Sequence, residues 1–488
     1  MAEFIVAIEL GSSVFRGIAG KKNLDGSITV QALVKEDATQ CIRKGVVNNI
    51  DKTATCLKNI VAKLSKTMKQ NISHVYVGVG GQSVRSVRNV IVKDLPTETI
   101  VDGDIVDGLM DSNRGMDYPD LEILNVVTQE YKVGNQYVVD PVGIKGTRLE
   151  GNFLNIAQRK LFYSNLNEAF DKAGIAIAEI FPAPLVLADN VLTESEKRGG
   201  CVLVDLGADT TTVSVYHKSL LRHLAVIPLG GNNVTKDITA LKMEEREAEL
   251  LKLKHGSAYT EIADIDPALT YSIDGERTIE SKQLIELVEA RVEEIVQNVW
   301  HQVPAEYVSK LLGGIILTGG GSNMKNIELA FKKYTHMDKI RKARFVNLAI
   351  KSNIDDIKKN DTTLNTIISL LAKGDMNCAG GPIVHQHTGT DLFGQPTTTT
   401  PPHPTTNGEG STQQHTSGDN GGNGGNGGNG GNGGNGGNGG NNTQPTPPPA
   451  PEPTHDPEPT PAPEKSGFFS KLAKKLKGFG GKILEAEE

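Results

Sequence analysis

The chain has 488 residues, enough for more than one domain, and a formal net charge of −7 at pH 7. Residues 465–488 carry six lysines and three glutamates, a local charge of +3, which leaves an acidic body of about −10. Such a body argues against a nucleic-acid-binding surface, because phosphate neutralisation needs clustered Lys and Arg.

The N-terminal segment begins the predicted elements. It lacks a basic region, and Glu3 and Glu9 interrupt its apolar run, so we expect no signal peptide. No stretch is long and apolar enough to span a bilayer, which predicts a cytoplasmic chain. Alternation and helical periodicity predict strands at Phe4–Leu10, Val14–Ala19 and His74–Val79, and a helix over residues 51–70.

A small α+β module interrupts this pattern. Strand-like runs at Val84–Val92 and Leu124–Val133 flank a helix-like stretch at Asp104–Arg114, which is typical of an insertion into a larger domain. The following segments predict an α/β domain with helices over residues 163–174, 236–256 and 281–300, strands at Cys201–Leu206, Thr210–Tyr216 and Gly314–Thr318, and a helix capped by Ser322.

The four cysteines are Cys41, Cys56, Cys201 and Cys378. Their spacing fits neither a zinc site nor a disulfide framework, so we expect inert thiols in a reducing cytosol. Residues 375–464 contain Thr/Pro runs, tandem Asn-Gly-Gly repeats and a Pro-rich stretch, a composition that cannot bury enough apolar area to fold. We predict a tether with an end-to-end distance of roughly 50–55 Å.

Three strand ends are followed by glycine-containing turns at wide spacing: Glu9-Leu-Gly-Ser-Ser, Asp205-Leu-Gly-Ala-Asp-Thr and Leu317-Thr-Gly-Gly-Gly-Ser. Any one of them is more often an ordinary turn. Together they suggest a nucleotide site, since exposed N–H groups hold phosphate oxygens and a carboxylate beside phosphate needs Mg²⁺ or its water. No Walker P-loop sequence occurs in the chain.

In their order, these turns resemble the phosphate-1, phosphate-2 and adenosine motifs of the actin, heat-shock-70 and sugar-kinase superfamily. Within it, the chain resembles the FtsA family over roughly residues 1–374, through Asp140–Leu149, Val226–Ile238, Ala248–Gly256 and Asn365–Leu371. The resemblance implies an α/β, actin-like (ribonuclease H-like) two-lobed fold with an inserted α+β subdomain (1C), followed by a disordered linker and a C-terminal amphipathic helix.

The resemblance also implies ATP and Mg²⁺ as ligands. Glu9 and the first turn would cradle phosphates, Asp205 would hold Mg²⁺ through water, and Glu249 and Lys252 would face the ribose. Without the resemblance, Glu249 and Lys252 would be an i,i+3 pair on a solvated helix. The candidate nucleotide-binding residues are Glu9, Gly11, Ser12, Ser13, Asp205, Gly207, Thr210, Thr211, Gly230, Gly231, Glu249, Lys252, Gly319, Gly320 and Gly321.

The chain departs from the family pattern at three places. Ala208 and Asp209 stand where phosphate-2 usually has glycines, and Val14 stands where phosphate-1 often has lysine. The segment Pro182-Ala183-Pro184 lacks the Glu or Gln that positions the attacking water in hydrolysing relatives. We therefore predict nucleotide binding with at most a slow ATPase activity, and no confident catalytic residue beyond Mg-associated Asp205 and Glu9.

The C-terminal segment has an apolar stripe at helical spacing with lysines beside it. This pattern is typical of a helix that lies in a membrane interface; docking on a partner or folding back on the acidic body are the alternatives. The candidate membrane-binding residues are Phe468, Phe469, Lys471, Leu472, Lys474, Lys475, Leu476 and Phe479.

The resemblance implies a cell-division protein that binds ATP, forms actin-like filaments and tethers FtsZ to the cytoplasmic face of the membrane at the division site. Its implied partners are FtsZ, further copies of itself, anionic lipids and, through 1C, later division proteins. A PilM-like pilus-assembly scaffold and a sugar or carboxylate kinase are the alternatives. The predicted boundaries are 1–81 (1A), 82–158 (1C), 159–196 (1A), 197–374 (2A/2B), 375–464 (linker) and 465–488 (membrane-targeting helix).

Overall fold

The computed structural model describes residues 3–43, 46–274, 277–359, 361–380, 389–390 and 396–397. The predicted amphipathic helix and nearly all of the predicted linker lie outside these ranges. Within them, no helix is both long and apolar enough to cross a membrane. Residues 1–385 and 386–488 form separate units.

Strands dominate the first half of the chain. In chain order they are β1 (Glu3–Leu10), β2 (Val14–Lys22), β3 (Ile28–Asp37), β4 (Ile42–Arg43), β5 (Val46–Val47), β6 (His74–Val79), β7 (Arg85–Ile100), β8 (Leu121–Val133), β9 (Gln136–Val138), β10 (Lys145–Arg159) and β11 (Ala176–Pro182). The remaining strands are β12 (Cys201–Leu206), β13 (Thr211–His217), β14 (Leu220–Ile227), β15 (Thr270–Ser272), β16 (Thr278–Glu280), β17 (Gly314–Thr318), β18 (Ile340–Lys342), β19 (Ile350–Ser352), β20 (Gly389–Thr390) and β21 (Pro396–Thr397).

The helices lie mainly between or after the strands that they cover. They are α1 (Ile50–Met68), α2 (Gly103–Arg114), α3 (Lys160–Ala173), α4 (Ala183–Val191), α5 (Glu194–Gly199), α6 (Gly231–Thr239), α7 (Glu245–His255), α8 (Ser281–His301), α9 (Ala305–Val308), α10 (Ile327–Thr335), α11 (Asp355–Lys358) and α12 (Asn365–Lys373). Short 3₁₀ turns occur at Ile262–Asp264, Gly320–Asn323 and Thr362–Leu364.

Two sheets of the first unit share one topology. The first has the order β11-β6-β1-β2-β3-β19 and the second β14-β13-β12-β17-β18. In each, an antiparallel three-stranded meander is continued by two strands parallel to its first strand. This duplication confirms the predicted actin-like two-lobed fold, and it places the hairpins β1–β2 and β12–β13 in equivalent positions of lobe 1 and lobe 2.

The inserted module has its own sheet and core. Its strands have the order β7-β10-β8-β9, and α2 packs on them through Leu109, against residues such as Phe153 and Leu149. Polar contacts join the module to lobe 2: Gln129 donates to the Leu221 carbonyl (3.0 Å), and Ser86 exchanges two hydrogen bonds with the backbone of Leu224. The module's two chain connections lie in lobe 1. Together with these hydrogen bonds to lobe 2, they bring the module into contact with both lobes.

Two predicted helices are wrong in part. Residues 236–256 do not form one helix: α6 ends at Thr239 and α7 begins at Glu245, with Lys242 between them at a φ of +60°. Ser322 does not cap a helix; it lies in a 3₁₀ turn, where its hydroxyl bonds to the Gly319 carbonyl (2.8 Å), and α10 begins five residues later.

The first residues of the predicted linker run along lobe 1, at the end of β1 opposite the hairpin turn. The Cys378 N–H donates to the Phe4 carbonyl (2.7 Å), and the Tyr76 hydroxyl donates to Asp375 (2.7 Å). The described residues 375–380 therefore pack against this end of lobe 1.

In the second unit, the described strands β20 and β21 pair antiparallel with each other.

Candidate functional site

The turns of the two equivalent hairpins have the same construction. In both, a four-residue turn follows the last register pair and begins with a glycine. A Cβ atom at Gly11 would lie 2.6 Å from the Val14 carbonyl oxygen, and one at Gly207 would lie 2.7 Å from the Thr210 carbonyl oxygen. Only glycine allows these close approaches, which is why the two sequence motifs share it.

A carboxylate precedes each glycine by two residues, and the two carboxylates have different cross-strand neighbours. Glu9 pairs in register with Arg16 and forms an ion pair with it (3.2 Å). Asp205 pairs in register with Thr212, which carries no charge. Burial and the Glu9 carboxylate raise the pKa of Asp205 to about 7, against the opposing effect of Arg16. A nearby cation would therefore stabilise the ionised form of Asp205.

This environment fits a magnesium ion. Oxygen ligands are those that Mg²⁺ prefers, and it usually keeps several waters and takes only one or two carboxylates together with phosphates. The described residues hold no group of three or more His, Cys, Asp or Glu that could bind a metal alone. Asp205, with Glu9 nearby, would thus hold Mg²⁺ only together with water or phosphate, and the ion would stabilise the ionised carboxylate.

The third turn, at Gly319, approaches the Asp205 carboxylate most closely. Gly319 has a φ of +82° and a ψ of 169°, and a Cβ there would lie 2.3 Å from Asp205 Oδ1 and 2.6 Å from the Leu206 carbonyl oxygen. The hydroxyls of Ser322 and Thr362 both donate to the Gly319 carbonyl (2.8 and 2.9 Å). The turn is thereby held with bare backbone against the hairpin of lobe 2.

These turns border one large cavity between the lobes, of about 1150 Å³. Its lining includes most of the residues proposed from the sequence: Glu9, Gly11, Ser12, Ser13, Asp205, Gly207, Thr210, Gly231, Glu249, Lys252, Gly319, Gly320 and Gly321. Two proposed residues do not line it. The buried Thr211 hydroxyl donates to the Leu229 carbonyl (2.8 Å), and Gly230 packs against the Ala208 carbonyl, 2.4 Å from where its Cβ would lie.

Lys252 links two helices at the cavity wall. Its buried Nζ contacts the Glu249 carboxylate (2.6 Å), the Thr235 hydroxyl (2.8 Å) and the Gly231 carbonyl (3.1 Å). Three partners satisfy its three donors. Lys252 therefore fixes α7 against the start of α6 and orients Glu249, whose carboxylate remains half-exposed toward the cavity.

One departure from the family pattern, Asp209, has a local explanation. The Asp209 carboxylate accepts a hydrogen bond from the Asn232 amide (2.7 Å), and the Asp209 N–H donates to the Ser12 hydroxyl (3.3 Å). Asp209 thus contacts the start of α6 and the first turn, and it does not line the cavity. Ala183 and Pro184, at the start of α4, do line it but carry no acid–base group.

Sequence reasoning missed several cavity residues. Arg16 could have been found by pairing the predicted strands in register, because it lies opposite Glu9. His255 and Tyr271 stack with their ring centroids 3.9 Å apart and line the same cavity. Tyr271 lies on the short hairpin β15–β16, which no periodic pattern in the sequence predicts.

Comparison with known proteins identifies the chain. A family model described as cell division protein FtsA matches residues 202–361, and a model of the SHS2 domain inserted in FTSA matches residues 81–157. Cell division protein FtsA of Porphyromonas gingivalis is 33% identical over 340 residues, which are 68% of this chain and 71% of that protein. FtsA of Neisseria meningitidis is 30% identical over 332 residues, 66% of this chain and 80% of that protein.

Among solved structures, the PilM-PilN type IV pilus biogenesis complex is similar, with a TM-score of 0.52 and 14% identity, covering 75% of this chain and 97% of that one. At this identity, the likeness shows the fold alone. The relatives show more: this chain belongs to the FtsA family of cell division proteins.

Proposed function

We propose that this protein binds ATP with Mg²⁺ between its two lobes. The observation that carries the proposal is the pair of equivalent hairpin turns, each with a carboxylate two residues before its glycine, that face one cavity closed on a third side by the Gly319 turn. The N–H groups of such turns favour phosphate oxygens. A cavity of about 1150 Å³ is large enough for a nucleotide triphosphate.

In this proposal, each part of the site binds a different group of the nucleotide or its metal ion. Ser12 and Ser13 hold phosphate oxygens together with the backbone of both turns, and Asp205 holds Mg²⁺ through water, with Glu9 nearby. Glu249, oriented by Lys252, accepts hydrogen bonds from the ribose. Bare backbone at Gly319 to Gly321 allows the adenosine to approach closely. When bound, Mg²⁺ would neutralise phosphate charge.

We further propose that turnover is slow at most. Hydrolysis needs a side chain that orients the attacking water. The start of α4 presents only Ala183 and Pro184 to the cavity, and the Asp209 carboxylate is engaged by Asn232. ATP would thus act mainly as a ligand that draws the lobes together.

The cell-division role follows from family membership, and we propose its finer steps. ATP-bound copies assemble into actin-like filaments, bind FtsZ and contact later division proteins through the inserted module at residues 82–158. A C-terminal helix at residues 465–488 attaches the filament to anionic lipids at the cytoplasmic face of the membrane, at the division site. Its lysines would contribute about 1 kcal/mol each near an anionic surface.

Liposome co-sedimentation tests the membrane step. We expect the full-length protein to pellet with anionic vesicles, and to do so more strongly with ATP-Mg²⁺ if filament formation supplies avidity. Deletion of residues 465–488 should abolish pelleting, whereas Phe469→Asp should weaken it in a chain of full length. Equal pelleting of the deleted chain would contradict the anchor.

Nucleotide binding needs its own measurement. Titration with a fluorescent ATP analogue should give Mg²⁺-dependent binding that Asp205→Asn weakens, while the ADP released per bound ATP stays low over hours. Binding that does not respond to Mg²⁺ or to Asp205→Asn would contradict the proposed site.

A further inference from the structure

Two cysteines that lie fifteen positions apart in the sequence have facing sulfur atoms. Cys41 lies in the turn after β3 and is buried, with 2% of its surface exposed, whereas Cys56 lies in the second turn of α1 and is partly exposed. Their Sγ atoms are 3.6 Å apart. The two thiols are therefore in contact, although their spacing along the chain does not indicate a paired site.

The simplest interpretation is a weak thiol–thiol hydrogen bond in an ordinary packed contact. Two features of the contact indicate that the pair can also form a disulfide. A disulfide bond is about 2.05 Å long, so the two sulfur atoms would need to approach each other by about 1.5 Å. The partly exposed Cys56 gives an oxidant access from solvent, and the buried Cys41 lies directly behind it.

The backbone around Cys41 already ties the two segments together. The N–H of Asn48, just before α1, donates to the Cys41 carbonyl (2.8 Å), and Cys56 Sγ donates to the Asp37 carbonyl (3.5 Å). The other two cysteines offer a contrast. Cys201 and Cys378 are fully buried, and neither has another thiol in contact among the described residues.

We propose that Cys41 and Cys56 are a modification site, a dithiol that a peroxide converts to a reversible disulfide. The Cys56 sulfur attacks hydrogen peroxide and breaks its O–O bond, so that one oxygen becomes the hydroxyl of the sulfenic acid and the other leaves as water. The Cys41 sulfur then attacks the Cys56 sulfur and expels the second water. The two thiol hydrogens and two electrons are thereby transferred to the peroxide, and a cellular dithiol restores both thiols by exchange.

Oxidation at this site is slow. Burial and the neighbouring Cys41 raise the pKa of the Cys56 thiol to about 12, so little thiolate exists at neutral pH. We therefore expect the disulfide to form over hours under sustained peroxide rather than within seconds. The pair would thus respond to prolonged oxidation and not to a brief exposure.

The disulfide would act on the nucleotide cavity through the segment that precedes Cys41. The Ala38 N–H donates to the Ser13 carbonyl (2.9 Å) in the first hairpin turn, and Asp37, Thr39 and Ile42 line the cavity. Movement of Cys41 toward α1 would pull this segment and its bond to the turn. This second step rests on the proposed ATP site, and we expect oxidation to weaken ATP binding about fivefold, at the low end of typical coupling.

The test uses the full-length protein incubated with hydrogen peroxide and then mapped by mass spectrometry of unreduced peptides. We expect a Cys41–Cys56 cross-link that a reducing dithiol reverses, with Cys201 and Cys378 still free. In Cys41→Ser, a sulfenic-acid probe should label Cys56 instead. In Cys56→Ser, peroxide should leave ATP affinity unchanged.

Specific outcomes would overturn the inference. Free Cys41 and Cys56 in folded protein after prolonged peroxide, or oxidation of Cys201 or Cys378 first, would exclude the modification site. A mapped disulfide with unchanged ATP affinity would refute the coupling. If the reduced protein does not bind ATP at all, the proposed function fails, but the peptide map still decides the disulfide.

Discussion

Substitution of Gly319 by alanine gives the sharpest test of the site's construction. Its φ of +82° and ψ of 169° lie in a region that is nearly exclusive to glycine, and occupying it costs a side-chain-bearing residue about 1–3 kcal/mol. The added Cβ would also lie 2.3 Å from Asp205 Oδ1 and 2.6 Å from the Leu206 carbonyl oxygen. Relieving this overlap by backbone movement adds roughly 1–3 kcal/mol. We expect a loss of about 2–6 kcal/mol in the free energy of unfolding.

Gly320→Ala is the matched control, because nothing lies within 4 Å of a Cβ at Gly320 and its φ is not positive. Urea denaturation should show the Gly319→Ala protein unfolding at clearly lower denaturant concentration than both wild type and Gly320→Ala. The Gly320→Ala protein should keep its stability but bind ATP more weakly, because its new methyl group points into the cavity. Equal denaturation midpoints for the two variants would refute the close contact between the Gly319 turn and Asp205.

Three other substitutions test single interactions by urea denaturation. Burial raises the pKa of Glu196, but the hydrogen bonds from Arg341 outweigh it, so the pKa is lower than the ordinary value of 4.5. The pair's contribution to the free energy of unfolding is therefore present above about pH 4.5 and is lost as the pH falls through the lower, folded pKa. Arg341→Met should cost about 2 kcal/mol at pH 7, after allowance for the partial exposure of Arg341, and much less once the pH has fallen below the lowered pKa of Glu196; a pH-independent loss would contradict this. Tyr76→Phe removes the hydroxyl that bonds Asp375 and should cost about 1–2 kcal/mol and expose the segment after α12 to protease; unchanged cleavage would contradict it. Lys252→Met should cost about 2 kcal/mol and weaken ATP binding about tenfold, whereas undiminished affinity would show that Lys252 does not orient the site.

Much of the site's framework could be predicted because its determinants are local. The run His74–Val79 is bounded by turn residues and forms β6 with those ends. Glycine at 11 and 207 marks turns that no other residue can form, so two distant hairpins were recognisable as equivalents. The strand pattern also contained the Glu9–Arg16 pair, since antiparallel register follows from the turn length.

What the sequence could not supply depends on contacts between distant segments. Apolar periodicity continues across residues 236–256, but Lys242 adopts a left-handed conformation that lets α7 turn back and place Lys252 against α6. Ser322 is a residue type that often caps helices, yet its hydroxyl donates a hydrogen bond to the Gly319 carbonyl instead. The approach of Cys56 to Cys41 depends on how α1 packs, which spacing along the chain does not encode.

The inserted module is connected to both lobes that border the cavity. Its chain enters and leaves through lobe 1, but Ser86 and Gln129 bond to β14, the third strand of the meander whose first hairpin carries Asp205. Sheets are stiff along their hydrogen-bonded ladders, so rotation of lobe 2 relative to lobe 1 must either break these bonds or move the module with β14. A ligand that contacts both hairpin turns favours one relative position of the lobes, and by the same free energy it favours one position of the module. Under the proposed function, the module's hydrogen bonds to β14 therefore couple its position to nucleotide binding.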